Sequence, residues 1–182
     1  MALPVIKMNK SDPVWDQILD EANSLSIKEP LLSSMVHSSI LHHNSLDQAI
    51  SYRTANKLST AEMSEQMLRE ISDEAMRDGD IISYARADLI AVNERDPSCH
   101  SLIQALLFFK GFQAIQAYRV GHWLWTSGRK DMAYYFQSRV SEVFSLDVHP
   151  AAVIGFGIMI DHAHSIVIGE TAVVGNNVSM LH

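Results

Sequence analysis

The sequence predicts an α+β protein, with an all-helical N-terminal part (residues 1–145) followed by the start of a parallel β-helix (residues 146–182). Two observations predict this order. Helix-start and helix-stop signals fill the first part, and an apolar residue recurs at every sixth position of the second. The pattern changes after Phe144, where glycine, valine and isoleucine become frequent. We therefore expect two units of different architecture.

Capping residues and prolines mark the helices of the first part. Residues 11–13 place capping side chains before a proline whose fixed φ suits a first helical turn. Residues 45–48 and 59–62 begin two further helices with capping residues. Another helix ends at residues 95–97, because the residue before a proline avoids helical geometry. An apolar stretch and a last helix, 132–144, lead into the repeat.

The repeat consists of one apolar residue in every six. Its members are Val148, Ile154, Ile160, Ile166, Ala172 and Val178. A period of six fits neither a 3.6-residue helix nor a two-residue strand alternation. It is typical of a β-helix, in which each hexad forms one side of a triangular coil and stacking of the coils buries the apolar row.

The glycine-anchored hexads suggest an irregularity in this repeat. Ile154 and Ile168 each precede a glycine, but they are fourteen residues apart instead of twelve. Either the apolar row is unbroken and the glycines change corner, or two residues are inserted between Ile160 and Ile168. We favour the insertion, which would distort residues 161–165. Local irregularity in a repeat often marks a functional site.

Composition and charge exclude several classes of protein. The 182 residues carry a formal charge of −7, which argues against nucleic acid as a partner because phosphate binding needs a positive face. The single cysteine, Cys99, fits a reducing compartment. The N-terminus lacks the pattern of a signal peptide, and the longest apolar tract is too short to span a membrane. We therefore expect a cytoplasmic protein that binds no membrane.

Residues 146–182 provide about two coils. A repeat protein generally needs three or more repeats and a cap for stability. We therefore expect this β-helix to be truncated, and the polypeptide to continue past His182.

Several stretches of the chain together resemble the serine O-acetyltransferases of bacterial and plant cysteine biosynthesis. These stretches are residues 55–59, 95–97, 110–112, 116–119, 121–125, 147–152, 160–163 and 169–173. The resemblance implies an N-terminal helical oligomerisation domain and a left-handed β-helix that forms trimers. Pairs of trimers would meet through the helical domains to give a hexamer.

The same resemblance implies an activity. Members of the family transfer the acetyl group of acetyl-CoA to the hydroxyl of L-serine, with no metal, and L-cysteine inhibits them by feedback. In the family a C-terminal tail often binds O-acetylserine sulfhydrylase, and we expect that tail to be absent from residues 1–182. The residues that hold CoA are expected mainly beyond His182, so we expect the 182-residue form to be inactive or nearly so.

Four residues of this chain match site residues of the family. His162 matches the general base, which a serine hydroxyl needs because it is a poor nucleophile at neutral pH. Asp147 matches the carboxylate that orients the base. Their spacing of fifteen residues is close to one coil, which predicts adjacent rungs roughly 5 Å apart. Asp96 and Asp161 match the carboxylates around the substrate ammonium.

One departure from the family falls in the same turn. Many relatives have Thr-Gly where this chain has His164-Ser165. The additional imidazole could tune His162 or point outward, and loss of the glycine could change the corner.

Three other functions stay open. A zinc hydro-lyase of the γ-carbonic-anhydrase type could use His149, His162 and His164. The chain could also be a binding module without catalysis, or an acyltransferase with another acceptor. A second histidine group, His37, His42 and His43, lacks a carboxylate or cysteine partner, and we interpret it as packing or surface residues.

Overall fold

A computed structural model describes residues 12–181, which form helices first and strands afterwards. The α-helices are α1 (Pro13–Lys28), α2 (Ser33–Val36), α3 (Leu46–Leu58), α4 (Glu65–Asp78), α5 (Ile81–Arg95), α6 (Leu102–Phe108), α7 (Lys110–Thr126) and α8 (Lys130–Phe144). A 3₁₀ turn, Pro30–Leu32, precedes α2, and a π-helical segment, His37–Leu41, follows it. No helix within residues 12–181 combines the length and the hydropathy that a membrane crossing requires.

The helix starts agree with the predictions at residues 11–13 and 45–48 and correct the one at 59–62, although the Ser45 side chain makes no capping hydrogen bond at the start of α3. The Asp12 side chain accepts a hydrogen bond from the Trp15 amide, and α1 begins at Pro13; Ser11 lies outside the described residues. The helix predicted at residues 59–62 begins later, at Glu65, where Ser64 is the N-cap. Thr60 is the reason, because its hydroxyl accepts hydrogen bonds from two amides just after it and closes a turn in place of a helix.

The apolar stretch after residue 101 forms two helices. They separate at Phe109, whose extended backbone ends α6 and precedes α7. The side-chain amide of Gln113 donates to the carbonyls of Leu106 and Leu107, at 3.0 and 2.8 Å. The two buried carbonyls at the break therefore have a hydrogen-bond donor, so the turn between the helices does not leave them unpaired in an apolar interior.

Six short strands follow α8 and pair in a regular order. They are β1 (Leu146–Val148), β2 (Val153–Ile154), β3 (Met159–Ile160), β4 (Ile166–Ile168), β5 (Val173–Val174) and β6 (Ser179–Met180). Each of the first three strands pairs in parallel with the third strand after it. Three strands thus make one turn of a three-sided coil, and the next three stack on it.

The register between the two turns fixes the length of the repeat. Leu146 lies beside Ile166 and Val148 beside Ile168, so one turn takes twenty residues where three hexads would take eighteen. The pairs at β2 and β3 keep the same offset, which places the two additional residues between Ile160 and Ile168. The predicted insertion is confirmed. The alternative of an unbroken apolar row is wrong, because Ile168 continues the row from Val148 and is buried.

A buried carboxylate connects the helices to the coil. Asp88 of α5 is fully buried and accepts hydrogen bonds from the side chains of Gln116 and Arg119 of α7. The shortest of these, from Arg119 Nη2, measures 2.7 Å. The other Asp88 oxygen accepts the Ile158 amide of the coil at 2.8 Å. One side chain therefore holds two helices and the loop before β3 together.

The guanidinium of Arg119 extends the same connection. It donates to the carbonyls of Ile154 and Gly155, at 3.3 and 2.9 Å, and lies 5.0 Å from the centre of the Tyr84 ring. The neighbouring Tyr118 hydroxyl donates to the Ala152 carbonyl. Burial raises the pKa of Tyr118 far above its ordinary value, so this hydroxyl stays protonated. The coil is thus attached to α7 by polar contacts as well as by apolar packing.

His43 is a second buried polar group, in the N-terminal helices. Its ring lies 5.2 Å from that of Tyr52, and its Nε2 atom has no hydrogen-bond partner among the described residues. Burial lowers the pKa of His43, and the charge of Arg69 and the neighbouring His42 lower it further. A backbone hydrogen bond at Ser38 and the charge of Asp73 act in the opposite direction. Protonation of His43 therefore opposes folding.

We expect the Asp88→Asn variant to lose about 3–5 kcal/mol of unfolding free energy, because it leaves the buried Arg119 charge without its counter-ion. Urea denaturation measures this loss. Glu74→Gln is the control, since the Glu74–Arg129 pair is exposed and its removal should cost less than about 1 kcal/mol. Equal losses in the two variants would show that the buried pair does not hold the fold.

We expect acid to destabilise the chain through His43. The pKa of His43 is lower in the folded state than in the unfolded state, so its contribution is present above the ordinary histidine pKa and is lost as the pH falls. His43→Phe should reduce the fall in melting temperature between about pH 7.5 and about pH 5. The same change at the exposed His37 is the control. An unchanged pH dependence in His43→Phe would contradict this account.

Candidate active site

Three of the four predicted site residues line one cavity. It has a volume of about 200 Å³ and lies between the end of α5, the start of α7 and the corner after β3. Its lining includes the carboxylates of Asp96 and Asp161, the imidazole of His162 and the ammonium group of Lys110. The rest of the lining is Val92, Ser98, Phe108, Phe109, Gly111, Phe112, Met159 and Ile160. The helices and the coil thus build this cavity jointly.

Asp96 is held by the turn that ends α5. Its amide donates to the Val92 carbonyl, and Pro97 then prevents the helix from continuing. One carboxylate oxygen, Oδ1, accepts hydrogen bonds from the amide and the hydroxyl of Ser98, at 2.8 and 2.7 Å. These two bonds fix the direction of the carboxylate. Among the described residues 12–181 no such hydrogen bond is made to the second oxygen, which can accept one from a ligand.

Asp161 and His162 form the corner that follows β3. The Asp161 amide donates to the Met180 carbonyl of the next turn, at 2.9 Å, which fixes the backbone there. The Asp161 Oδ1 atom lies 3.4 Å from Nε2 of His162. The His162 side chain is 68% exposed, so a second molecule can reach its ring. The corner therefore presents a carboxylate and an imidazole together.

The backbone of this corner is strained. His162, Ala163 and Ser165 have φ of 54°, 46° and 56°, in the left-handed region that costs residues other than glycine of order 1 kcal/mol or more each. The two inserted residues fall in this segment. Strain of this kind persists only where the surrounding structure imposes it, and it clusters at functional sites.

Ser165 shows what the departure from Thr-Gly does. Its amide donates to the Ser145 carbonyl at 3.0 Å, and Ser145 has the same left-handed conformation one turn earlier, with φ of 59°. The corner thus keeps a conformation that glycine adopts without strain, with serine in both turns. His164 is exposed, which agrees with the alternative that its side chain points outward.

Gly111 lets α7 approach the coil at the cavity wall. A Cβ atom at this position would lie 2.0 Å from the carbonyl oxygen of Ile160, closer than any real contact. Only glycine allows this approach. The contact sets the distance between the first turn of α7, with Lys110, and the corner with Asp161. Sequence reasoning missed Lys110 as a lining residue, although the motif Lys110-Gly111-Phe112 contributed to the family resemblance.

Asp147 is not among the residues that line this cavity. It projects outward from β1, between the buried Leu146 and Val148, and lines a separate cavity of about 370 Å³ against α8. The register places Val167 beside Asp147, because the two-residue insertion lengthens the turn from eighteen residues to twenty. His162 is therefore not the strand-ladder partner of Asp147, and their place on adjacent rungs stays a prediction. A role for Asp147 in orienting His162 stays a prediction.

The zinc hypothesis finds no support in the positions of the histidines. His149 packs against Trp125 and Tyr134, with ring centroids 5.1 and 5.8 Å apart, and its Nδ1 atom accepts the Ala151 amide. Across residues 12–181, no three side chains of the metal-binding types are gathered closely enough to hold an ion. His149 is therefore a packing residue here.

We expect Gly111→Ala to destabilise the chain by about 1–3 kcal/mol or more, because the new methyl group must displace the Ile160 backbone. Gly169→Ala is the control, since a Cβ there meets no atom within 4 Å. Urea denaturation of both variants measures the difference. A Gly111→Ala variant as stable as Gly169→Ala would show that α7 does not press on the cavity wall.

Comparisons with known sequences and structures agree on one family. The family model for the N-terminal region of serine acetyltransferases matches residues 14–117. Serine acetyltransferase 2 of Arabidopsis thaliana is 49% identical over 174 residues, which cover 95% of this chain and 54% of the relative. The serine acetyltransferase of Escherichia coli K12 is 48% identical over 169 residues, covering 92% of this chain and 62% of the relative. This chain therefore spans 54–62% of the length of these two relatives.

Solved structures of serine acetyltransferases share the fold. The Neisseria gonorrhoeae enzyme in complex with serine has a TM-score of 0.92 and 45% identity, covering 97% of this chain and 73% of that one. The Brucella abortus enzyme in complex with coenzyme A has a TM-score of 0.92 and 42% identity, covering 94% and 69%. The family model, the sequence relatives and these structures lead to the same conclusion: this chain belongs to the serine acetyltransferase family.

Proposed function

We propose that this chain provides the serine-binding part of an enzyme that transfers the acetyl group of acetyl-CoA to L-serine. The products are O-acetyl-L-serine and CoA, and the reaction serves cysteine biosynthesis. The observation that carries the proposal is the gathering of Asp96, Asp161 and His162 around one small cavity. A relative of the same fold is in complex with serine, and another with coenzyme A.

The cavity suits a small amino acid. Asp96 and Asp161 supply two carboxylates for an ammonium group, and Ser98 holds the first of them in place. A volume of about 200 Å³ accommodates a molecule of a few heavy atoms and leaves little room for a large side chain. The walls are mainly apolar, so water is partly excluded and the charge pairing is strengthened.

His162 is the general base in this proposal. Its imidazole takes the proton of the serine hydroxyl as the oxygen attacks the thioester carbonyl carbon, and the tetrahedral intermediate then forms. The C–S bond breaks as the carbonyl is restored, and the CoA sulfur leaves with a proton returned by the imidazolium. The carboxylate of Asp147 orients the imidazole and stabilises its protonated form. No metal takes part.

The cofactor, partners and architecture of the whole protein follow from the family. Acetyl-CoA is the co-substrate, held mainly by residues that correspond to the unmatched part of the relatives. L-cysteine inhibits by binding in the serine cavity, and O-acetylserine sulfhydrylase is a possible partner. The coil is left-handed and forms trimers, which pair through the helical part; residues 1–145 and 146–182 are the two domains. The protein acts in the cytoplasm.

Apolar side chains on the outside of the coil support self-association through it. Val153, Val167 and Val173 project outward from three strands and are largely exposed. Val153 and Val173 stack directly on each other. Exposed apolar rows are costly in water and typical of an interface.

Thiol release from acetyl-CoA in the presence of L-serine tests the proposed reaction. Because the chain spans 62% of the E. coli relative, the assay uses both the chain itself and a fusion of residues 1–182 to the part of that relative that follows the match. We expect serine-dependent release from the fusion and a loss of about 10²–10⁴-fold in His162→Ala, since a general base contributes that much. His164→Ala, two residues away and exposed, should keep its activity.

Two results would contradict the proposal. Thiol release with another amine or alcohol, but not with serine, would leave the family assignment intact and show that serine is not the acceptor. Full activity in a folded His162→Ala variant would show that His162 is not the general base. In either case the reaction or its catalyst would need reassignment.

A further inference from the structure

We propose that Gln137 of α8 is a positioning residue for Asp147, the carboxylate that orients the catalytic imidazole. The inference rests on the proposed function and deepens it, because it names the group that fixes the direction of that carboxylate and leaves its negative charge in place. The side-chain amide of Gln137 donates to Asp147 Oδ1 at 2.8 Å.

The backbone holds the two side chains against each other. Helix α8 ends at Phe144, and the single left-handed residue Ser145 turns the chain directly into β1. Helix and strand therefore lie side by side, ten residues separating Gln137 from Asp147. Phe136 and Val140, on the buried side of α8, anchor the helix in the apolar core. Gln137 is thus presented to Asp147 by a packed element and not by a loop.

The donor is chemically suited to this task. A glutamine N–H is neutral, so it occupies one carboxylate oxygen without cancelling the negative charge that must stabilise an imidazolium. An arginine or lysine in its place would compete with the imidazolium for that charge. The bond leaves Oδ2 of Asp147 for a second donor and restricts the rotation that would otherwise move it.

The neighbouring charges support the same interpretation. Glu142 also lines the cavity beside Asp147, and it is paired with Arg139 on its own helix. The positive charge of Arg139 therefore partly balances the negative charge of Glu142, which weakens the repulsion between Glu142 and Asp147. The remaining lining residues, Tyr134, Ser138 and Ser141, are uncharged. Within residues 12–181, Gln137 is the lining residue whose side chain is hydrogen-bonded to Asp147.

Two variants at this position separate a positioning role from a packing role. Gln137→Met keeps the length of the side chain but removes the donor. Gln137→Glu keeps the shape and replaces the donor by an acceptor that repels Asp147 while it is ionised. Ser138→Ala, which lines the same cavity, is the control. Each change is made in the fusion assayed above, alongside Asp147→Asn, and melting temperatures are recorded for all.

We expect Gln137→Met to lower kcat about tenfold or more with little change in the KM for serine, because a hydrogen bond to a charged group is lost away from the serine cavity. The defect of Gln137→Glu should be larger at high pH than at low pH, since the introduced carboxyl donates a hydrogen bond only when protonated. Ser138→Ala should retain full kcat. If Gln137 only stabilised the fold, its substitution would lower the melting temperature without a separate effect on kcat and without a pH-dependent defect.

Three outcomes would overturn the inference, each for a different reason. If Asp147→Asn loses activity and Gln137→Met does not, Asp147 acts without help from Gln137. If both keep activity while His162→Ala loses it, Asp147 does not orient the base. If the unsubstituted fusion shows no serine-dependent release, the proposed function fails and this inference with it.

Discussion

The Asp88–Arg119 ion pair joins the two architectures of this chain, and the site depends on that junction. Two charges removed from water persist only when every remaining hydrogen-bonding group finds a partner. Here the partners are Gln116 and the backbone of the coil at Ile154, Gly155 and Ile158. The electrostatic requirement of one buried pair therefore fixes where the coil lies on the helices. Apolar contacts alone would not specify that register, because they are non-directional.

The cavity exists because this junction brings three separate parts of the chain to one place. Asp96 comes from the end of a helix, Lys110 from the start of another, and Asp161 with His162 from a corner of the coil. Gly111 lets the second helix come close, and the inserted residues give the corner its left-handed turn. Packing energy from the large core thus supports local strain that the corner alone could not sustain.

Much of the fold and of the site could be predicted from the sequence, and the remaining predictions failed for physical reasons. The period of six predicted a three-sided coil, and the glycine spacing revealed the insertion, because both are local patterns. Thr60 escaped prediction since a hydroxyl that closes a turn looks like one that caps a helix. The residue that stacks on Asp147 could not be assigned from a repeat of eighteen, because the insertion lengthens the turn and brings Val167 beside it. The pairing of Asp88 with Arg119 gave no sequence signal, since a contact across thirty-one residues is a property of the fold.

The central claim is that the helices and the coil of this chain form one recognition site for serine. Amide NMR spectra of the ¹⁵N-labelled chain, recorded during titration with L-serine, test it most directly. The account predicts shifts confined to residues 96–98, 110–112 and 160–163, with weaker shifts for D-serine as the control. Shifts centred on the larger cleft between Tyr84, Trp123 and Val153 would contradict it, as would a spectrum that L-serine leaves unchanged.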